Sequence, residues 1–241
     1  MSAFHGALEF IARNGQIPGA PRLPTLVHLT LETLKIAGIG IGIALVVAIP
    51  IGVWLGHLHR GSFAAINLGN IWRALPSLAV LAIGVAFLGI GLRNVELALV
   101  VLAVPPVITN AYVAIDGVDR DLVDAARGMG LTGWEILVGV ELPLGIPLIF
   151  AGIRTAALFV VSTTTIAALT GYSGSLGDII ANETSYHLSG VLGAGICIAV
   201  LALAVELTLA GAQRLLTPHG LKLGAGDQSE LALVPVLGGL D

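Results

Sequence analysis

Long stretches without a charged residue alternate with short polar segments along most of the chain. Charge-free runs occupy residues 36–56, 74–92 and 97–115, and two further apolar segments follow at roughly 143–169 and 190–213. Each is about long enough for an α-helix, which rises about 1.5 Å per residue, to cross a hydrocarbon core about 30 Å thick. The pattern predicts an all-α integral membrane protein with about five transmembrane helices.

The composition agrees with this fold class. Of 241 residues, 56% are hydrophobic and 11% are charged, which is too few charges to cover the surface of a soluble domain. The net charge of −4 and the absence of a basic tract argue against a nucleic-acid partner. The six histidines show no metal-ligand spacing, His57 and His59 are expected to be solvated in a polar turn, and no cofactor is indicated.

Small residues in the first predicted span favour close contact between helices. They form the string Gly38, Gly40, Gly42 and Ala44. The domain that contains all five spans is expected to cover residues 25–216. Before it, residues 1–24 form either a short interfacial helix or a flexible leader, and residues 217–241 are expected to be a disordered cytoplasmic tail.

The polar segment at residues 116–141 has the features of two short helices joined by a glycine turn. Asp119 suits an N-cap, and Thr132 with Glu135 fits a capping box. An apolar face is predicted by the helical spacing of Leu122, Ala125, Ala126 and Met129. The segment is either an ordinary connector or a surface for a partner. A small excess of Lys and Arg places it in the cytoplasm, and residues 170–189, on the other side, contain neither residue type.

The same segment resembles the EAA motif, E-A-A-x3-G-x9-I-x-L-P, of ABC importer permeases. Asp124-Ala125-Ala126, Gly130 and Val140-x-Leu142-Pro143 match every spacing, with Asp in place of Glu and Val in place of Ile. Residues 28–37, 151–156 and 171–178 are similar to the osmoprotectant branch, whose members carry glycine betaine, choline or carnitine. Residues 171–177 depart in part from that branch, which usually reads near GAGGLG there.

The resemblance implies a multi-pass protein of the cell membrane with the type I ABC importer permease fold. Its partners would be cytoplasmic ATPase subunits, a second permease that is identical or a sister chain, and an extracytoplasmic substrate-binding protein. The chain has no G-x-x-x-x-G-K-[ST] motif, so ATP hydrolysis is assigned to a separate subunit and the chain is not expected to be an enzyme. By position in the motif, the residues expected to couple to the ATPase are Asp121, Asp124, Ala125, Ala126, Arg127, Gly130, Leu142 and Pro143.

Polar residues inside the predicted spans are candidates for the transport path. A charge within the bilayer is usually paired or faces water, so Arg154 is expected either to pair, with Glu206 as the candidate, or to line the path. Hydroxyl groups in a span either line a path or bond to carbonyls of their own helix. The candidates for lining or gating are Thr109, Asn110, Arg154, Ser162, Thr163 and Thr164.

Two alternatives to an osmoprotectant importer stay open. The first is the same ABC architecture carrying an amino acid or another small solute. The second is a secondary transporter driven by an ion gradient, which would need carboxylates inside the membrane, where Glu206 is the one candidate.

Overall fold

The computed structural model describes residues 2–16, 24–63, 67, 69–70 and 74–218. This part of the chain is helical, without a strand. Its elements are α1 (Ser2–Ala12), α2 (Leu26–His57), α3 (Ser77–Leu88), α4 (Leu92–Asp116), α5 (Arg120–Gly128), α6 (Gly133–Ile136), a π-helix (Leu137–Glu141), α7 (Leu142–Ile166), a 3-10 helix (Ala167–Thr170), α8 (Gly177–Ala181) and α9 (Glu183–Leu216).

Among the described residues, four helical stretches are long and apolar enough to cross a membrane. They are Leu26–His57, Leu92–Asp116, Gly133–Thr170 and Glu183–Leu216, and they contain the first, third, fourth and fifth predicted spans. The second predicted span contains only α3, which has 12 residues. At about 1.5 Å per residue α3 is about 18 Å long, which is shorter than the hydrocarbon core.

The packing of α2 on α4 shows that the chain nevertheless crosses the bundle five times. Gly40 lies against Leu99, and Gly56, four turns later, lies against Ile115, so the two helices run in the same direction. The chain must therefore return between His57 and Leu92. On this return α3 packs against the start of α4, where Asn94 Nδ2 donates a hydrogen bond of 3.2 Å to the Leu81 carbonyl. The prediction of about five spans is confirmed.

A row of small residues, one every fourth position, lets α2 approach α4 closely. A Cβ atom at Gly56 would lie 2.8 Å from Ile115 Cβ and 2.8 Å from the Tyr112 carbonyl oxygen, so no larger residue fits there. The row consists of Gly40, Ala44, Ala48, Gly52 and Gly56, all of which are buried. A Cβ atom built at Gly38 or Gly42 would meet none of the described residues within 4 Å. Of the string predicted from the sequence, Gly40 and Ala44 therefore lie in the row that meets α4, and Gly38 and Gly42 lie on other faces of the helix.

Helix α7 packs on α4 in the opposite direction and closes the core of the bundle. Near the start of α7, a Cβ atom at Gly145 would lie 3.2 Å from the Ala114 carbonyl oxygen. Further along, one at Gly152 would lie 2.6 Å from Asn110 Cβ. Since α2, α4 and α7 meet through small residues, the backbone of α4 is enclosed on two sides.

The end of the bundle opposite the loop between α4 and α7 is covered by α1. Phe10 of α1 packs edge-to-face on Tyr186, with 6.2 Å between ring centroids, and Gly193 of α9 leaves room for the Phe10 ring. Within the predicted leader, residues 2–12 are thus a helix that packs on protein. Residues 219–241, which include almost all of the predicted tail, lie outside the described residues.

Candidate functional site

The loop between α4 and α7 folds into the two short helices and glycine turn that the sequence predicts. The Asp119 side chain caps α5 by accepting a hydrogen bond of 2.9 Å from the Asp121 backbone N–H. Gly130 follows the helix with φ +89°, a left-handed conformation that a residue with a Cβ adopts only at a cost. Thr132 and Glu135 form the predicted capping box at the start of α6.

The face by which α5 packs differs from the predicted one. Val123 and Ala126 are buried, whereas Leu122 is 50% exposed and Met129 is 75% exposed. Ala125 is exposed as well, so only Ala126 of the predicted face packs inward. The helix carries apolar residues on two sides, and spacing alone did not show which side meets the rest of the loop. One apolar side is therefore left free at the end of the molecule.

A small hydrophobic cluster of its own holds the loop together. Val123 and Ala126 of α5 pack with Val118 and Ile136, and Leu131, Val140 and Leu144 lie against them. Through this cluster α5 rests on α6 and the π-helix. The loop is therefore a packed unit with a small apolar core of its own.

The charged residues of α5 lie on its solvent side. Asp124 and Arg127 face one another at 3.3 Å, both well exposed, and Asp121 is exposed in the first turn. An exposed pair of this kind contributes little to stability, so both groups are free to exchange partners. Leu142 and Pro143, the other two predicted coupling residues outside α5 and its glycine turn, begin α7 and are half-buried.

Both histidines at the end of α2 have carboxylate partners, which corrects the expectation that they are simply solvated. His57 Nδ1 lies 2.6 Å from Glu141 Oε2 at the end of the π-helix. His59 Nδ1 lies 2.7 Å from Asp116 Oδ1 at the end of α4. In the sequence, the signal for the first pair is the carboxylate of Glu141, which stands between apolar neighbours directly before Leu142-Pro143. The partner could not be identified from this signal, because it lies 84 residues away.

Arg154 forms the pair with Glu206 that the sequence suggested. Its Nε donates a hydrogen bond of 2.7 Å to Glu206 Oε1, which also accepts from Nη2, and its Nη1 donates one of 3.2 Å to Gln213 Oε1. The guanidinium thus joins α7 to α9 within the bundle. The pairing half of the prediction is thus observed in the structure.

The consecutive Ser and Thr residues predicted to line the path point to different sides of α7. Ser162 is exposed, whereas Thr163 and Thr164 are buried among the chain's own helices. Thr164 Oγ1 donates a hydrogen bond of 2.8 Å to the Val160 carbonyl. A bond of this kind, to a carbonyl of the same helix, was the predicted alternative to lining the path. On α4, Asn110 Nδ2 likewise donates to the Pro106 carbonyl at 2.7 Å, and Thr109 lies against Gly69.

Comparison with protein-family models decides the family. Residues 48–219, more than half of the chain, match the model described as "Binding-protein-dependent transport system inner membrane component". The chain belongs to this family. It is accordingly a multi-pass component of the cell membrane and a subunit of a transport system.

Curated relatives cover most of the chain. It is 37% identical over 198 residues to the glycine betaine/carnitine/choline transport system permease protein OpuCB of Bacillus subtilis (strain 168), with 82% of this chain and 91% of that protein aligned. It is 30% identical over 203 residues to the osmoprotectant import permease protein OsmW of Salmonella typhimurium (strain LT2), with 82% and 94% aligned.

A solved structure has the same fold. An inward-facing form of the MetNI methionine ABC transporter contains a chain that superposes with a TM-score of 0.69 at 22% identity. The superposition covers 80% of this chain and 96% of that one. The predicted type I importer permease fold is therefore confirmed.

Proposed function

We propose that this chain is the permease subunit of an ABC importer for an osmoprotectant such as glycine betaine, choline or carnitine. The curated relatives support the cargo, since OpuCB and OsmW are named for these solutes or for osmoprotectants. The complete importer would contain two permeases, identical or sister chains, two cytoplasmic ATPase subunits and an extracytoplasmic binding protein.

The observation that carries the coupling role is the free apolar side of α5. Leu122 and Met129 stand seven residues apart and are exposed, while the neighbouring side of the helix, with Val123 and Ala126, packs on the loop. Asp121, Asp124 and Arg127 are exposed on the same helix. A short helix with exposed apolar anchors and exposed charges is suited to a groove on a protein partner. We assign this surface to the ATPase subunit.

The loop offers a direct mechanical route from that surface into the membrane. Helix α5 rests on α6 and the π-helix, and the π-helix continues without a break into α7. Helix α7 carries Arg154, which holds α9, and the exposed Ser162. A displacement of α5 by the ATPase would therefore reach both of the last two long helices.

The test is ATP-dependent uptake of labelled glycine betaine into liposomes that contain the permease, its ATPase and the binding protein. The double variant Leu122→Ala/Met129→Ala removes the proposed anchors without disturbing the inner side of α5. A loss of about 1.4 kcal/mol of binding, below the cost of truncating a single hot-spot residue, lowers affinity about ten-fold, so we expect ATPase retention to fall by about this factor and uptake to fall with it. Leu8→Ala is the matched control, because Leu8 is 47% exposed on α1 at the other end of the bundle.

Each outcome separates the parts of the proposal. Uptake by the wild type and by Leu8→Ala, with loss in the double variant, supports both the cargo and the coupling surface. ATP-driven uptake of an amino acid in place of betaine keeps the architecture and overturns the cargo. Equal ATPase retention in the double variant and the wild type overturns the coupling surface.

A gradient-driven secondary transporter is disfavoured by the position of Glu206. That mechanism needs an acidic side chain inside the membrane that gains and loses a proton or binds an ion. Glu206 Oε1 instead accepts two hydrogen bonds from the Arg154 guanidinium, so the carboxylate is already engaged by a cation of the same chain. Uptake that proceeds without any ATPase would reverse this conclusion.

A further inference from the structure

The contact between His57 and Glu141 links two parts of the chain that the coupling motif does not connect. His57 is the last residue of α2, and Glu141 is the last residue of the π-helix between the loop and α7. We propose that this pair is the joint that sets the angle between the coupling loop and α2, so that movement of α5 is passed to α2 as well as to α7. The proposal rests on the proposed function, and both side chains are positioning residues in it.

Glu141 is placed where a carboxylate is costly unless it has a partner. It is 1% exposed, and its Oε2 lies 2.6 Å from His57 Nδ1. A buried carboxylate without such a partner loses its hydration and gains nothing in return. The hydrogen bond to His57 therefore fixes the orientation of the Glu141 side chain toward α2. An apolar residue of the same size would have no such fixed orientation.

His57 bridges both ends of the segment 133–141. While Nδ1 faces Glu141 at its end, Nε2 faces Gly133 at its start, where a Cβ atom would lie 3.5 Å from that nitrogen. The imidazole ring thus lies beside the whole unit formed by α6 and the π-helix. A rotation of this unit would move the ring and, with it, the end of α2.

Apolar packing around the joint does not supply the same constraint. Leu137 of the π-helix belongs to the cluster that also contains Val53 of α2 and Ile115 of α4. Such contacts are non-directional and allow sliding or rotation, whereas a hydrogen bond fixes distance and angle. The π-helix, with its wider turn, is a local departure from α-helical geometry of a kind that is frequent at functional sites.

The neighbouring pair of His59 and Asp116 provides a matched control within the same turn. Its atoms are 2.7 Å apart, but both side chains are about a third exposed, and Asp116 is also near Arg120 at 4.0 Å. This pair joins the end of α2 to the end of α4 and not to the segment 133–141. Removing it perturbs the same region with no direct effect on the proposed joint.

The decisive quantity is the number of solute molecules imported per ATP hydrolysed by the complete importer. His57→Ala and Glu141→Ala are each expected to lower this ratio about five-fold or more, which is the lower range of measured coupling between sites. The variant with both changes should be no worse than either alone, because one joint is lost in each case. Glu141→Gln, which keeps a hydrogen-bond acceptor, should recover most of the ratio, and His59→Ala should leave it unchanged.

A covalent cross-link in place of the joint distinguishes loss of the joint from poor assembly of the variant importer. The variant His57→Cys/Glu141→Cys is made in a Cys197→Ala background, which has no other thiol. It should import few solute molecules per ATP until a short cleavable bis-methanethiosulfonate cross-links the two cysteines. Restoration by the cross-link, and its loss on reduction, supports the joint. Complete cross-linking without restoration overturns it, as does an unchanged ratio in assembled His57→Ala and Glu141→Ala importers.

Failure of the proposed function would be recognised separately. A wild-type importer that shows no ATP-driven uptake refutes the function and not the joint. The joint is then judged by amide hydrogen exchange of the permease, in which His57→Ala should speed exchange in residues 133–141 and at the end of α2. Equal exchange in the variant and the wild type overturns the joint.

Discussion

Arg154 shows how a single charge is accommodated among apolar helices. Glu206 accepts two of its hydrogen bonds and Gln213 a third, and all three side chains come from α7 and α9. The need for a partner was predictable from the sequence, since an isolated guanidinium in hydrocarbon is costly. The contribution of Gln213 was not, because a neutral amide in an apolar helix gives no comparable signal.

Removal of one charge of the Arg154–Glu206 pair should destabilise the permease more than removal of both charges. Arg154→Gln and Glu206→Gln each leave one charge without its partner, and we expect each to destabilise the permease by about 1–3 kcal/mol. Arg154→Gln/Glu206→Gln keeps amide hydrogen bonding without a charge and should recover much of this loss. Thermal unfolding of the purified permease in lipid nanodiscs measures the effect. A double variant that is as unstable as the sum of the singles would show that the two residues act independently.

The position of small residues on each helix decides which helices of the bundle pack closely together. The row from Gly40 to Gly56 brings α2 onto α4, and Gly145 and Gly152 bring α7 onto the other side of α4. Four of the five long apolar segments, the capping residues and the glycine turn were predictable, because each depends on local sequence, whereas the 12-residue length of α3 was not. The packed side of α5 and the π-helix were not predictable, since they depend on contacts with Val118, Ile136 and His57 that only the folded chain brings together.

Two alanine substitutions in the same helix test this account of the packing. Gly56→Ala adds a Cβ within 2.8 Å of Ile115 Cβ and a backbone oxygen, and we expect it to cost about 1–3 kcal/mol of stability as an overpacked contact. Gly42→Ala adds the same atom where nothing lies within 4 Å, and it should be neutral or slightly stabilising because Ala favours a helix over Gly. The measurement is again unfolding in nanodiscs. Equal losses in both variants would contradict the assignment of the packed side.

On the scale of the whole molecule, the two ends of the bundle differ in construction. The loop end carries α5 with its exposed ions, whereas the opposite end is closed by α1, α8 and the turn before α8. In that turn Gly174 N–H donates a hydrogen bond of 2.5 Å to Asp178 Oδ2. Burial raises the pKa of Asp178 above its ordinary value, although hydrogen bonds from Gly174 and Ser175 oppose the shift. The same burial, together with Asp178, Glu32 and Glu96, raises the pKa of Tyr172 beside it.

This raised pKa predicts the direction in which pH changes the stability of the molecule. A carboxyl whose pKa is higher in the folded than in the unfolded state binds its proton more tightly when folded. Its stabilising contribution is therefore complete below the ordinary carboxyl pKa and is lost as the pH rises through the folded-state pKa. Asp178→Asn cannot titrate but keeps an oxygen for Gly174. The unfolding temperature of the wild type, taken relative to Asp178→Asn at each pH, should thus be higher at pH 4 than at pH 7. A difference that grows toward pH 7 would mean that the hydrogen bonds to the carboxylate outweigh its burial, and that this end of the bundle is held together by the ionised Asp178.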